Sequence, residues 1–365
     1  MATRESPVTP TEACLENLRL FVEERLDPDA LWDGSHPAAS LSEFLALCAQ
    51  SLSAGPAAGG GPPSAALCQA RDVFVRGGLE ALAARRSHAG NSWFQIGIRP
   101  QHADLEARGE LCRQVASVAR TVLSDSLADD FFFMNKPPGM RLRFQAAAGT
   151  DPGHLADVVN AQVMRWRADR LINHVEHGVY EPENQLFGGP ASMKFVHALF
   201  TVDSLMWLDY HACRADEGDA ISPAWLVSLT ALQTVFAGLE IVGWEDIGVW
   251  ECIREVAGRR LRQDKESVPL FPEVSGELRE AWSRRNRLSA EAAVPAIVAA
   301  YDSALLEGAA RWRSGYFCRP GASLGARAAA AFYVIFHWNR AGLSSSEQAL
   351  LAESLSERML HDVRR

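Results

Sequence analysis

Helical spacing governs both ends of this chain, and a central stretch of strand-like period interrupts it. Any fold must accommodate that order. Trp93 to Ile98 (WFQIGI) and Phe131 to Met134 are aromatic and β-branched, while Met140 to Phe144 (MRLRF) alternates apolar with charged residues, as a half-buried strand does. Between the first two, Ala103 to Leu127 places Leu105, Leu111, Cys112, Val115, Val118, Val122 and Leu123 on one helical stripe, and a second helix fits Asp151 to Arg170. Pro137, Pro138 and Gly139 join the second and third strands as a hairpin, and Val175 to Glu181 reads as a fourth strand. The order β-α-β-β-α-β predicts an α+β protein with a split, ferredoxin-like sheet core. Both helices then share one sheet face, leaving the other to line a site or carry further helices.

The flanks supply those further helices. Thr11 to Leu26, Ser42 to Leu52 and Ala65 to Arg86 read as helices around a Gly/Pro-rich loop at 54–64, so residues 1–88 form an N-terminal helical segment before the domain at 89–365. From Pro190 onward the helical period persists. Ser222-Pro223 is expected to open one helix as cap and first residue, with Gly243 near its end, and Pro295 to open another through Tyr301 and Leu306. Ser344 with Glu347 forms a capping box for the last helix, whose buried stripe runs through Leu350, Leu351, Leu355 and Met359.

Composition excludes several functions. With 45 Asp plus Glu against 36 Lys plus Arg and a net charge of -9, no overall basic field exists to hold nucleic acid or an anionic bilayer. No apolar run is long enough to span a membrane and the N-terminus lacks a secretory signal, so a cytoplasmic protein is expected. The seven cysteines are scattered without a CxxC pair. His174 and His177 fall on opposite faces of a strand, which argues against a metal pair. Phosphate-cradling loops, zincins, hydrolase elbows and kinases all lack their motifs, so no cofactor is expected.

Three polar clusters remain. Arg141 and Arg143 stand on one face of a strand, where two like charges are costly without an anion, water or acids such as Asp129 and Asp130. They form either a solvated face or a clamp for carboxylate or amide oxygen. Tyr180 to Pro190 (YEPENQLFGGP) carries Glu181 and Glu183 into a Gly188-Gly189 turn that permits close backbone approach. His337, Asn339 and Arg340 sit in an apolar helix from Ala328, beside Phe336 and Trp338, and either cap that helix or face a cavity.

The blocks SWFQIGIRP, FFFMNKPPGMRLRF, VYEPENQLFGGP and YVIFHWNR, in that order and spacing, resemble the C-terminal elimination module of lantibiotic dehydratases, from Trp93 to the C-terminus. Glutamate-eliminating members are similar at YEPE but continue with an Arg and a Tyr before the Gly pair, where this chain has Leu186 and Phe187. Leu cannot pair with the carboxylate of a glutamyl ester, a contact worth about 1.5 to 3 kcal/mol. The length and the lack of the large dehydratase module resemble the stand-alone branch, the thiopeptide pyridine synthases.

What this resemblance implies is a cofactor-independent cyclase. Two dehydroalanines of a modified, azole-bearing precursor peptide join by a formal [4+2] aza-cycloaddition, and loss of water and of the leader peptide gives the pyridine-centred macrocycle. His337 is then the leading acid/base, helped by Asn339 or Arg340. Arg141 and Arg143 stabilise the imidate oxygen, and Tyr180, Glu181 and Glu183 carry protons or position the substrate. Leu186, Phe187 and Trp338 are candidates for the pocket wall. Eight arginines from Arg254 to Arg287, among them Arg259, Arg260, Arg284 and Arg285, form either a salt-bridged surface or a binding patch for an acidic leader. The alternatives are a glutamate-eliminating lyase and a non-catalytic subunit that presents the leader peptide. Contact with other thiopeptide maturation enzymes is also implied.

Overall fold

In the computed structural model, described over residues 92–136, 139–261, 271–285 and 296–357, the expected order of elements is present. β1 (Trp93–Pro100), α1 (Leu105–Ser124), β2 (Ala128–Lys136), β3 (Gly139–Ala146), α2 (Pro152–Ala168) and β4 (Ile172–Gly178) follow one another, and the strands lie in the order β2-β3-β1-β4. Every neighbouring pair is antiparallel, which is the split arrangement. These residues belong to one compact unit, His88–Arg365. The N-terminal helices and the loop at 54–64 lie outside the described residues.

Strand alternation sorts the side chains into two layers. Phe94, Ile96 and Ile98 share a face with Phe131, Phe133, Met140, Leu142 and Phe144, and all are buried. Against them pack the buried stripes of α1 (Leu111, Cys112, Val115, Val118, Val122) and α2 (Leu155, Val159, Val163, Trp166). The opposite face carries Trp93, Gln95, Phe132, Met134, Arg141 and Arg143, and it meets the helical half.

The fourth strand is displaced from its expected position. It spans Ile172–Gly178 rather than Val175 to Glu181. Pairing with β1 ends where Gly178 faces Gln95, because the Gln95 amide lies across that glycine, where a Cβ would come within 2.5 Å of its nitrogen. Tyr180 consequently leaves the sheet and folds back into the interior, while Val179 is exposed.

The helical half comprises α3 (Asn184–Phe187), α4 (Pro190–Glu217), α5 (Ala224–Leu239), α6 (Glu245–Glu255), α7 (Phe271–Arg285), α8 (Ala296–Trp312), α9 (Ala326–Ala341) and α10 (Ser345–Ser356). A π-helical turn, Arg313–Phe317, continues α8. α4 is its axis, 28 residues and about 42 Å long, packed on α1, β2 and α8. It also seals the edge of β2, since Phe131 N–H donates to Thr201 Oγ1 (3.0 Å) and Phe133 N–H to Ser204 Oγ (3.3 Å). Such an edge would otherwise present unpaired backbone donors.

Two helix starts compare instructively. The capping box at Ser344 forms as expected, with Glu347 N–H on Ser344 Oγ and Ser344 N–H on Glu347 Oε2. α5 instead begins one residue late, with Pro223 as the extended cap residue and the Ser222 carbonyl accepting from Tyr210 of α4. It ends at Leu239 through Glu240 in the left-handed region, ahead of Gly243.

Candidate active site

The site grows from the second sheet face. Gln95, Arg143 and Phe132 lie side by side on β1, β3 and β2. Arg143 is 7% exposed, its Nε donates to Gln95 Oε1 (2.8 Å), and its guanidinium stacks 4.4 Å over Tyr180 and 5.0 Å over Phe132. Nη1 stands 3.8 Å from Glu183 Oε1 and has no hydrogen-bond partner among the described residues. Burial depresses the Arg143 pKa, and Glu183 and Tyr180 oppose that shift. Arg141 shares this face one row further along, half-buried, opposite Gly97 and Met134.

Beside Arg143 lies a relay that enters from the loop after β4. The Tyr180 hydroxyl donates to Glu183 Oε2 (3.1 Å) and contacts His197 Nε2 at 2.9 Å. A phenol has one proton to give, so with Glu183 as acceptor the imidazole is the donor and carries its proton on Nε2. Burial, reinforced by Arg143, pushes His197 down to about 4, which keeps the ring neutral near pH 7. Burial and the Glu183 charge raise Tyr180 well above the ordinary phenol range. Tyr180 and His197 are buried, while the Glu183 side chain is 26% exposed, so the relay runs from the interior towards solvent.

α9 brings the third cluster inward. Its C-terminal carbonyls are capped by other elements: Asn135 Nδ2 donates to Asn339 O (2.8 Å), and His211 Nε2 lies 2.8 Å from Arg340 O. Gly342, in the left-handed region, closes the helix. The side chains of His337 and Arg340 are thus not spent on capping. Arg340, fully buried, donates from Nε to Asp203 Oδ2 (2.6 Å) and stacks 4.3 Å over Phe200, and its Nη2 lacks a hydrogen-bond partner among the described residues. His337 Nδ1 lies 2.7 Å from Asp203 Oδ1, and its Nε2 lies 3.0 Å from Ser228 Oγ, which also accepts from Trp338 Nε1 (3.1 Å). Burial alone would raise Asp203, but His337 and Arg340 outweigh it and hold the carboxyl below its ordinary value.

One helix joins these clusters. α4 presents His197, Phe200 and Asp203 at intervals of three, and Phe200 packs against Phe132 with 5.2 Å between ring centroids. Arg143 and Arg340 are close enough to depress Arg143 further by like-charge repulsion.

The remaining sequence-predicted residues are dispersed. Glu181 is exposed, Leu186 half-buried, and Phe187 buried against Phe200, Phe336 and Trp312. Asn339 is half-buried, with Oδ1 lacking a hydrogen-bond partner among the described residues. Trp338 and His337 are interior residues, at 0% and 1% exposure. Arg259 bonds Gln348 (2.7 Å), Arg260 pairs with Glu255, and Arg254 pairs with Glu255 and Glu353, so these members of the arginine cluster are engaged within the fold. The side chains of Arg284 and Arg285 lie outside the described residues. Sequence reasoning missed Gln95, His197, Asp203 and Ser228.

Residues 93–360 match the family described as lantibiotic biosynthesis dehydratase, C-terminal. The chain belongs to this family. Membership links it to lantibiotic biosynthesis, the process that the family's description names. In fold it is similar to the tRNA-dependent lantibiotic dehydratase MibB from Microbispora sp. 107891, at 16% identity and a TM-score of 0.51, over 73% of this chain and 28% of that one. The matched region thus spans less than a third of the length of MibB. TsrL aligns at 14% identity and a TM-score of 0.43, over 73% of this chain and 94% of that one. No curated protein matches the chain by sequence. None of the described helices is long and apolar enough to cross a membrane.

Proposed function

We propose that this chain is a pyridine synthase of thiopeptide biosynthesis, a cyclase acting on a leader-bearing precursor peptide with two dehydroalanines and azoles. The observation that carries the reading is the pair of buried guanidinium groups, Arg143 and Arg340, each with a donor nitrogen that no described protein atom satisfies. An unpaired buried donor costs about 1 to 3 kcal/mol, more for a charged group, and a substrate oxygen would recover that cost. Leu186 supplies no charge for a glutamyl carboxylate, which favours an amide oxygen over an eliminated glutamate.

In this reading residues 89–365 form the working domain and residues 1–88 flank it. One dehydroalanine and the amide preceding it become a 2-azadiene by tautomerising to the iminol, and the second dehydroalanine is the dienophile. Ring closure forms two C–C bonds, one between the two dehydroalanine β-carbons and one between the iminol carbon and the α-carbon of the second dehydroalanine. Expulsion of water and of the leader as a carboxamide then aromatises the ring, with no redox partner. Holding the two alkenes together supplies most of the acceleration, about 7 to 11 kcal/mol at the upper range of effective molarity. Arg143 and Arg340 hold the developing imidate oxygen, with Arg141 beside them. Tyr180, backed by Glu183 and His197, exchanges the proton. His337, whose ring nitrogens face Asp203 and Ser228, acts by fixing Asp203 and hence Arg340. The partner is the modified precursor peptide, delivered by other maturation enzymes.

The test is incubation of the protein, without added cofactor, with a leader-bearing peptide carrying two dehydroalanines and azoles, followed by mass spectrometry. Loss of water with release of an intact leader carboxamide is expected, and Arg143→Lys should lower turnover by about 10²-fold. A soluble, correctly modified peptide returned unchanged overturns the reading. So does turnover only of a glutamylated peptide.

A further inference from the structure

We infer that Tyr316 is a positioning residue, whose hydroxyl fixes the loop that carries Tyr180 and Glu183 relative to α4 and α9. This rests on the preceding reading of Tyr180 and Glu183 as the proton-exchanging pair. Tyr316 lies in the π-helical turn after α8, and such turns recur at functional positions. Its hydroxyl donates to Gly188 O (2.8 Å), accepts from Ser323 N–H (3.0 Å) and meets Ser323 Oγ at 3.2 Å. Gly188 ends the turn Asn184–Phe187, and Ser323 precedes α9. Two segments therefore converge on one oxygen: the Gly188 turn, which follows Tyr180 and Glu183 and leads into the helix bearing His197 and Asp203, and the approach to the helix bearing His337 and Arg340.

The surroundings are built for this contact. Gly188 is in the left-handed region at φ +88, and a Cβ there would stand 2.1 Å from the Tyr316 hydroxyl, so only glycine lets the phenol reach the carbonyl. Within the π turn, a Cβ on Gly315 would stand 2.2 Å from the ring of Phe195 on α4. Trp312 Nε1 adds a 2.7 Å hydrogen bond to Ser192 Oγ, so the turn is held against the first turns of α4. From Gly188 the constraint reaches Glu183 through one compact turn, in which Gly189 N–H donates to Asn184 O and Leu186 N–H to Glu183 O. Tyr180 follows because its hydroxyl bonds Glu183.

The test compares Tyr316→Phe with Tyr301→Phe in the full chain. Tyr301 loses a hydroxyl bond of the same kind, to Asp209 from α8, away from this loop. For the cyclisation, Tyr316→Phe should lower kcat by about ten- to a hundredfold, as expected for slight misplacement of reacting groups, with KM within about twofold and a melting point comparable to that of Tyr301→Phe. Tyr301→Phe should keep the wild-type kcat. A second readout needs no turnover: the ring-nitrogen NMR signals of His197, assigned with His197→Gln, should move in Tyr316→Phe and stay in place in Tyr301→Phe. Wild-type kcat and wild-type His197 signals in Tyr316→Phe, or equal effects in both variants, overturn the inference. Should Tyr316→Phe fail to fold, Ser323→Ala, which removes only the second hydroxyl, must show a smaller shift in the same direction. If the wild-type protein does not turn over the peptide, the functional reading fails and the NMR comparison alone decides this inference.

Discussion

Asp203 is the residue on which the buried charge turns. Its two carboxylate oxygens face His337 and Arg340, with no exposure to water on any of the three beyond 1%. An arginine in that position retains its charge, so the carboxylate must be ionised to offset it. Replacing it by asparagine leaves a guanidinium uncompensated in the interior. Asp203→Asn is therefore expected to cost about 3 to 5 kcal/mol in denaturant unfolding, the usual penalty for breaking a buried pair. A loss below about 1 kcal/mol would mean that Arg340 finds another counter-charge. Asp203 and Ser228 were not singled out from sequence because each lies in a largely apolar helical run, with no local pattern linking it to a histidine more than a hundred positions later. Tyr180 and Arg340 were legible because each belongs to a block of polar residues set among apolar neighbours, and Arg143 because it shares one strand face with a like charge, Arg141. The one available signal for Asp203 was its charge inside TVDSLMWL, a stretch otherwise suited to full burial.

At the scale of elements, α4 does two tasks with one surface. Thr201 accepts the Phe131 N–H and lies 3.2 Å from Asp130 Oδ1, while positions 197, 200 and 203 of the same helix face the site. Sealing the β2 edge therefore also fixes how deep His197 and Asp203 stand over the sheet. Thr201→Val keeps the shape and removes the acceptor, leaving a part-buried amide unpaired. The expected destabilisation is about 1 to 3 kcal/mol by chemical denaturation, with faster hydrogen exchange at Phe131 than at Leu142 of the interior strand. Unchanged protection at Phe131 would show that another group covers the edge. Elements whose signal is periodic were read correctly, including three strands, both sheet helices and the capping box at Ser344. The misplaced fourth strand and the late start of α5 have a shared cause. In each, a distant partner settles a local ambiguity, the Gln95 amide at Gly178 in one and the Tyr210 hydroxyl on the Ser222 carbonyl in the other.

For the whole molecule, burial of polar groups on α4 and β2 couples unfolding to net proton uptake. Burial pushes His197 and His211 down to about 4, with Arg143 and Arg108 respectively adding to the effect, while burial pushes Asp130 up to about 6. A histidine whose folded value lies below its unfolded value of about 6.5 contributes stability above that pH, and the contribution is lost as pH falls towards 4. Asp130 acts in the opposite sense: its contribution is full below about 3.8 and is lost as pH rises through 6. At 1.36 kcal/mol per unit, each of the three is worth roughly 3 kcal/mol, so Asp130 offsets one histidine and the other remains. Unfolding free energy should accordingly fall by about 3 to 4 kcal/mol between pH 7 and pH 4, with Asp203, whose folded value is depressed, adding loss of the same sign. Denaturant titrations at pH 7, 5.5 and 4 check this. His197→Gln should remove about half of the histidine contribution, and Asp130→Asn should steepen the loss on acidification. A stability that is flat or rises from pH 7 to pH 4 would mean that the two imidazoles are hydrated in solution, and the neutral His197 on which the Tyr180 relay depends would then lose its physical basis.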